Sequence, residues 1–287
     1  MEKWLTVGIV IFCLALLSFA ASKLLLPGIG DRVAVIPIEG TIGESGFLSP
    51  DTSEIVSFIE EADSDESIRA IILLINSPGG SPVASEEIMK AVKSTNKTTV
   101  AVIRDIGTSG AYWIASAADT IVASPMSTTG SIGVVASYIE YTGLMQKLGL
   151  SYERLVAGDY KDIGAPYRNL TNDERMILQE QLDQMHEYFI ESVAENRHMD
   201  LGQVKNISTG MFYTGHQAKK LGLVDELGGQ KEAEELIKSK LNLTEVEIVQ
   251  YAPEKSLIGL LSQLASSASF QIGRGIGTSL GHFSVST

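Results

Sequence analysis

The sequence predicts an α/β domain with a mostly parallel sheet, because short runs rich in valine and isoleucine alternate with helical patterns along most of its 287 residues. The content of 44% hydrophobic and 20% charged residues is that of an ordinary globular protein. Four apolar runs bounded by turn residues are predicted as strands. They are residues 33–38, 70–75, 99–103 and 120–123.

Helical patterns fill the intervals between these strands. The first predicted helices are residues 53–62, 82–92 and 110–118. Pro82 suits the first turn of its helix, where the missing N–H has no intrahelical partner to lose.

A longer helix is predicted to begin near Thr171, which forms a capping-box pair with Glu174. Within this helix, apolar residues recur at helical spacing and indicate one stripe buried in the core. The stripe consists of Leu178, Leu182, Met185, Phe189 and Val193. Gly228 and Gly229 then break the chain before a final amphipathic helix at residues 230–240.

An apolar segment precedes the domain. Residues 4–22 are uncharged and mostly apolar, and as a helix rising about 1.5 Å per residue they nearly span the ~30 Å core of a bilayer. We expect a retained transmembrane helix; a cleavable signal peptide is the alternative, because small residues follow the apolar run. The predicted division is an anchor and linker at residues 1–30, a folded domain at 31–252 and a partly amphipathic tail at 253–287.

Composition excludes several classes of function. The net charge of −13, without a block of basic residues, argues against binding nucleic acid. The single cysteine, Cys13, lies in the apolar segment, so a thiolate metal site or cysteine nucleophile in the domain is excluded. The four histidines follow no metal-ligand spacing, and neither a metal nor a cofactor is expected.

A glycine-rich turn follows the second predicted strand. Residues 76–81 read Asn-Ser-Pro-Gly-Gly-Ser, and their glycines let the backbone bend sharply and present N–H groups. The turn lacks the Gly-Lys-Ser/Thr ending of a Walker phosphate loop. By itself it fits either an anion-binding turn or a plain connection between strand and helix.

Ser109 lies between a predicted strand and a predicted helix, in the segment Gly-Thr-Ser-Gly-Ala-Tyr-Trp. At a helix N-terminus its hydroxyl is well placed to react. Backbone N–H groups there, with the positive end of the helix dipole, can stabilise a developing oxyanion. A simple helix-capping role is the alternative.

Lys161 is the candidate base, because a serine nucleophile needs a group that removes its proton and no histidine stands in a suitable motif. It lies in the segment Gly-Asp-Tyr-Lys-Asp-Ile-Gly, between residues 152–156, predicted as a strand, and the long helix. A loop lysine is usually solvated. To act as a base it must be neutral, and since a lysine ordinarily has a pKa of about 10.4, we expect this side chain to be buried.

Taken together, these segments resemble the signal peptide peptidase A family of Ser-Lys proteases, within the Clp protease and crotonase fold group. The resemblance covers about residues 32–234. It is carried by the Ser-Pro-Gly-Gly turn, the Thr-Ser-Gly-Ala-Tyr segment, the Thr-Gly-Ser-Ile-Gly segment at 129–133 and the Tyr-Lys-Asp-Ile-Gly-Ala-Pro segment at 160–166. Ala111 departs from the commoner Gly-Gly version, and a methyl group is expected to fit.

The resemblance implies a role for each matching residue. Ser109 is the nucleophile, Lys161 is the general base, and Ser131 orients the lysine amine. The backbone N–H groups of Gly80 and Gly110 form the oxyanion hole. The implied fold is the βα-repeat spiral of the Clp and crotonase group.

The resemblance also implies substrates, partners and location. Substrates are expected to be signal-peptide remnants and other hydrophobic peptides. The chain is expected to form a homo-oligomeric ring at the cell membrane, with its catalytic domain on the extracytoplasmic side. The tail is a candidate for a subunit interface.

Three rival interpretations of the sequence remain. A related membrane protease with another substrate has the same residues. A crotonase-type acyl-CoA enzyme shares the oxyanion turns without a Ser-Lys pair. A non-catalytic membrane scaffold would retain the fold and lack the serine or the lysine, whereas both are present here.

Overall fold

One sheet organises the domain in the computed structural model, which describes residues 31–43 and 51–252. Eight strands form it, and all their pairings are parallel except that of β5 with β6. The strand order is β6-β5-β3-β2-β1-β8, and β4 pairs with both β3 and β7. The strands are β1 (Arg32–Ile42), β2 (Ile68–Gly80), β3 (Thr98–Thr108), β4 (Thr120–Ala123), β5 (Thr128–Gly130), β6 (Phe212–Thr214), β7 (Glu226–Leu227) and β8 (Glu247–Gln250).

Helices cover both faces of the sheet. Alternate residues of β1 point to opposite sides, so Ile36 packs with helices α1 to α3 and Val35 packs with α8. The predicted α/β class is therefore confirmed. The helices are α1 (Thr52–Ser64), α2 (Pro82–Ser94), α3 (Gly110–Ser116), α4 (Thr142–Lys147), α5 (Asn172–Arg197), α6 (Leu201–Ile207), α7 (Gly215–Lys220) and α8 (Gln230–Leu241).

The central strands run further than their apolar cores indicate. Strand β2 continues through the predicted turn to Gly80, where the pairing resumes after a register shift as Thr41 with Gly79 and Ile42 with Gly80. Strand β3 likewise continues to Thr108, directly before Ser109. The extension of β2 contains Asn76, Pro78 and two glycines, and that of β3 contains Asp105 and Gly107. These residue types are depleted in strands, so local sequence did not predict the extensions.

The strand predicted at residues 152–156 is wrong. These residues belong to an irregular segment, 134–168, whose only helix in the described chain is α4 and which we call the arm. Leu155 is 95% exposed and Ile139 81% exposed. Within the described residues, the apolar run of the arm pairs with no strand and stays out of the sheet.

The predicted stripe on the long helix is core over only half its length. Phe189 and Val193 are buried, whereas Leu178 and Leu182 are half-buried and Met185 is 48% exposed. The N-terminal half of α5 faces the arm instead of the sheet.

The predicted start of this helix is confirmed. The Glu174 N–H donates to Thr171 Oγ1 at 3.2 Å, and the Thr171 N–H donates to the Glu174 carboxylate at 2.9 Å. The reciprocal pair fixes the first turn of α5.

Two sequence predictions fall outside the described residues, namely the anchor at 4–22 and the tail at 253–287. In the described ranges, none of the helices is both long and apolar enough to cross a bilayer.

Tyr112→Phe tests the packing of α3 against the rest of the domain. The Tyr112 side chain is fully buried, and its hydroxyl donates to the Leu223 carbonyl at 3.0 Å. Burial raises the pKa of Tyr112, so the hydroxyl stays protonated at neutral pH. We expect the variant to lower the free energy of unfolding by about 1–2 kcal/mol in urea titrations, because a buried carbonyl loses its donor. Tyr138→Phe, at a 46% exposed position, should leave stability unchanged, and an equal loss in both variants would contradict a stabilising role for the buried hydroxyl.

Candidate active site

Ser109 occupies a sharp junction between β3 and α3. Its backbone has φ 55° and ψ −125°, a left-handed conformation that is strained for a residue with a side chain. Within the described part of the chain, its side chain makes no capping hydrogen bond to α3. The capping alternative is therefore not supported, and the half-buried hydroxyl is not committed to the helix.

Three glycines are packed around this junction. A Cβ on Gly79 would lie 2.9 Å from Ser109 Cβ and 2.8 Å from the Gly110 nitrogen. A Cβ on Gly80 would overlap the Ile42 carbonyl, and one on Gly110 would overlap Ser85 Oγ. The close approach of the backbones is possible only because these residues carry no side chain.

The same packing brings together the two amides predicted for the oxyanion hole. The Cβ position of Gly110 lies 3.5 Å from the Gly80 nitrogen, so the end of β2 adjoins the first residue of α3. The N–H of Gly110 belongs to the first turn of a helix, where backbone donors have no intrahelical acceptor. The structure thus places Gly80 and Gly110 side by side, next to Ser109.

Ser131 is brought close to Ser109 through β5. The Ser109 N–H donates to the carbonyl of Gly130 at 2.8 Å, which places the next residue, Ser131, beside the junction. Ser131 also has a left-handed backbone, with φ 52°. Its hydroxyl lies 3.1 Å from the Gly210 carbonyl and donates to it, so the Oγ lone pairs can accept a hydrogen bond from another group.

An apolar groove of about 270 Å³ opens at Ser109. Trp113 lines the groove beside Ser109, stacked on Phe189 with ring centroids 4.9 Å apart and donating from Nε1 to Ser192 Oγ at 2.7 Å. The groove is otherwise mainly apolar. Its lining includes Pro82, Val83, Val134, Val135 and Met185.

One side of the groove is polar. The Tyr188 hydroxyl donates to the Glu86 carboxylate at 2.7 Å. Hydrogen bonds from Lys90, and then from Tyr188, hold the pKa of Glu86 below its ordinary value, so this carboxylate is ionised at neutral pH.

A second groove, of about 720 Å³, continues from the first along α5. The two share Pro82, Val134, Val135 and Met185 in their linings. The second extends to Ile163 and Gly164, in the segment that carries the candidate base. Together they form one channel on the face of the domain where the arm lies.

Lys161 lies on an exposed turn of the arm and does not line the groove at Ser109. Its own chain, as far as it is described, does not provide the burial expected from the sequence. Arg168 links this turn to Glu174 at the start of α5. Met185, which lines the groove at Ser109, lies 11 residues further along α5, a rise of about 16 Å. The described chain thus brings together Ser109, Ser131, Gly80 and Gly110, whereas Lys161 remains on an exposed turn.

The turn that holds Lys161 carries a cluster of charges. Hydrogen bonds from Arg168, followed by those from Arg154, lower the pKa of Asp162 far below its ordinary value. Arg168 also lowers the pKa of Glu174 to about 2. Both carboxylates therefore remain ionised at neutral pH and paired with arginines.

Sequence reasoning missed several residues of the site. Ser85 lies beneath Gly110, and Trp113 and Tyr188 form walls of the groove. Trp113 lies in the Ser109 segment and Tyr188 lies beside the apolar stripe of α5, whereas Ser85 has neither signal. Across residues 31–43 and 51–252, no group of three or more His, Cys, Asp or Glu side chains is arranged to hold a metal ion.

Comparison with known proteins identifies the family of this site. Residues 91–244 match the sequence model described as Peptidase family S49. A protein of Methanocaldococcus jannaschii named as a protease is 38% identical over 226 residues, which are 77% of this chain and 71% of that protein.

Two further relatives have related names. A protein of Enterococcus faecium named as a signal peptide peptidase, SppA, is 31% identical over 229 residues, which are 77% of this chain and 67% of that protein. A chloroplastic serine protease, SPPA, of Arabidopsis thaliana is 32% identical over 255 residues, which are 84% of this chain and 38% of that protein. The mixed α/β sheet fits the Clp and crotonase-like fold that the sequence resemblance implied.

Gly110→Ala tests the packing of Gly110 against Ser85, next to Ser109. The added methyl group would overlap Ser85 Oγ, so we expect the free energy of unfolding to fall by about 1–3 kcal/mol. Ser85→Ala removes that oxygen, and the double variant should lose less stability than the two single losses added together, as measured by urea unfolding. Additive losses would show that the two residues do not meet as the structure places them.

Proposed function

The chain belongs to peptidase family S49 and is a serine peptidase, and on this basis we propose that it cuts hydrophobic peptides with a Ser109–Lys161 dyad. The observation that carries the proposal is the hydroxyl of Ser109, which makes no capping bond in the described part of the chain and lies at a left-handed junction that opens into an apolar groove. A nucleophile held in this way faces a bound peptide. Helix formation alone does not require such a conformation.

The oxyanion is proposed to bind the N–H groups of Gly80 and Gly110. In this mechanism, Ser109 Oγ attacks the scissile carbonyl, and negative charge develops on the carbonyl oxygen. Two rigid backbone donors beside the nucleophile stabilise that charge without reorganising. The adjacency of Gly80 and Gly110 supports this assignment.

Lys161 is proposed to take the proton from Ser109 and to give it to the leaving amine. A lysine must be neutral to act as a general base, and removing water from an amine disfavours its charged form. Since Lys161 is exposed in the single chain, we propose that packing of the arm in a homo-oligomeric ring supplies this desolvation. Exposed apolar side chains of the arm, including Val135, Ile139 and Leu155, support such a contact.

Ser131 is proposed to orient the lysine amine. Its hydroxyl proton is directed to the Gly210 carbonyl, so its oxygen presents lone pairs as acceptors. An acceptor beside Ser109 can hold the amine with its own lone pair toward the nucleophile.

The proposed substrates are released signal peptides and similar apolar segments. The apolar lining of the groove at Ser109 supports this class, because the transfer of hydrophobic side chains from water into an apolar groove lowers the free energy. The name of the Enterococcus faecium relative points to the same substrates.

The proposed location is the cell membrane, with residues 4–22 as a single transmembrane helix and the catalytic domain on the extracytoplasmic side. The support is the length and apolar character of that segment. Tethering raises the effective concentration of the enzyme near membrane-held peptides.

Ser109→Ala and Lys161→Ala test the dyad in the full chain. We expect each variant to lose at least about a thousandfold in kcat on an apolar peptide, because the nucleophile and base act as a unit. Cleavage is followed by product masses, which also give the side-chain preference. Lys220→Ala, at an exposed position on α7, is the control and should retain full activity. Near-normal turnover by the Lys161 variant would reject the dyad.

Fluorophosphonate labelling separates the rival functions. The proposed peptidase becomes labelled at Ser109, and the label is lost in Ser109→Ala. A crotonase-type acyl-CoA enzyme or a non-catalytic scaffold would not be labelled at this serine.

Leu14→Arg with Leu16→Arg tests the anchor. Arginine near the middle of a transmembrane helix costs about 2.5–3.5 kcal/mol, so the doubly substituted chain should leave the membrane fraction after an alkaline wash. Leu201→Arg, at a partly exposed site of the catalytic domain, should leave the chain in that fraction. Full retention of the double variant would argue against this segment as the anchor.

A further inference from the structure

We infer that Asp162, clamped by Arg154 and Arg168, is a positioning residue that fixes the turn bearing Lys161. The inference rests on the proposed function, because it assumes that Lys161 is the base. It adds to that function a group that acts through the lysine and does not itself line either groove.

Both oxygens of the Asp162 carboxylate accept hydrogen bonds from two guanidinium groups. Arg154 donates from Nε and Nη2 at 2.9 and 2.8 Å, and Arg168 donates from Nε and Nη2 at 2.8 and 2.9 Å. Two-pronged guanidinium-carboxylate contacts fix both distance and orientation, which single contacts do not.

The same arginines also hold the backbone on either side of Lys161. Arg154 donates to the Asp159 carbonyl at 2.8 Å, and Arg168 donates to the Asp162 carbonyl at 3.2 Å. The Lys161 N–H itself donates to the Gly158 carbonyl at 3.1 Å. The backbone of the turn is therefore fixed, while Lys161 itself is exposed.

Arg168 connects this turn to the long helix. Its Nη1 and Nη2 donate to the two oxygens of Glu174 at 2.8 and 2.6 Å. Glu174 is in turn part of the capping box with Thr171 at the start of α5. Near its other end, α5 packs on Trp113 of the nucleophile helix through Phe189. A continuous chain of contacts thus joins the turn of the base to the helix that follows Ser109.

The cluster differs from an ordinary surface ion pair. The side chains of Asp162, Arg168 and Glu174 are only 12%, 19% and 4% exposed. Two positive and two negative groups balance one another within it. Partial burial and multiple contacts make such a network more rigid than an isolated exposed pair, which contributes little.

A long lysine side chain on an irregular turn needs such support. Catalytic groups must be held within about 0.5 Å of their productive position, and a 1 Å displacement can cost about a hundredfold in rate. The turn is not part of a helix or strand, so the ion-pair cluster is the structure that fixes it.

Asp162→Asn in the full chain tests the inference with an apolar peptide as substrate. The change keeps the shape and removes the charge that binds both arginines. We expect kcat to fall about 10- to 100-fold while KM stays within about twofold, because the Asp162 side chain lines neither groove. Asp162→Glu restores a carboxylate and should recover part of kcat. Sedimentation velocity should show the same oligomer for all three proteins.

Two controls separate positioning from folding. Glu187→Gln removes another carboxylate of α5, which pairs with Lys205 at 2.6 Å outside the cluster, and should leave kcat unchanged. Asp225→Asn breaks the partly buried pair with Arg197 and should lower the melting temperature without lowering kcat of the folded protein.

The outcomes distinguish this inference from the proposed function. If Lys161→Ala is inactive and Asp162→Asn keeps kcat within about twofold of the unaltered chain, the positioning role is overturned and the dyad stands. The role is also overturned if Asp162→Glu recovers nothing, or if Asp162→Asn changes the oligomer. If Lys161→Ala is active, both proposals fail together.

Discussion

The left-handed backbone at Ser109 is the constraint on which the rest of the site depends. Such a conformation costs about 1–3 kcal/mol in a residue with a side chain and persists only when its surroundings impose it. Here the Ser109 N–H is bonded to Gly130 in β5, and the Ser109 carbonyl accepts from the Trp113 N–H at 3.0 Å. Thr108 Oγ1 donates to the Pro78 carbonyl at 3.0 Å and joins the end of β3 to β2. Three strands must therefore be in register before the hydroxyl can face the groove.

The same constraint explains why the site is rich in glycine. Strand β2 and helix α3 approach so closely that side chains at Gly79 and Gly110 would meet Ser109 and Ser85. This approach places the amide donors of the proposed oxyanion hole beside the nucleophile. Close packing and the proposed oxyanion hole therefore both require glycine at these positions. A substitution there would lower the stability of the fold and weaken the stabilisation of the oxyanion.

The sequence predicted what depends on local pattern, and it failed where distant contacts decide. The buried strands and the capped start of α5 depend on residues that are close together in the sequence, and these predictions are confirmed. Residues 152–156 have the composition of a strand but pair with none of the strands that the structure describes, so the prediction fails. Met185 continues a helical stripe, yet it is 48% exposed and lines the groove at Ser109. The ion-pair cluster around Asp162 joins residues of the arm to α5, a contact that no short motif predicts.

The two halves of the proposed dyad differ in how they are held. Ser109 is embedded in the sheet, and its surroundings are complete within one chain. Lys161 lies on a charged, well-fixed turn of an otherwise exposed arm. If Lys161 is the base and acts only when water is removed, proteolysis depends on what covers the arm. On the proposed function, a single chain away from its ring carries a formed nucleophile without an active base, which would protect neighbouring proteins from cleavage before assembly.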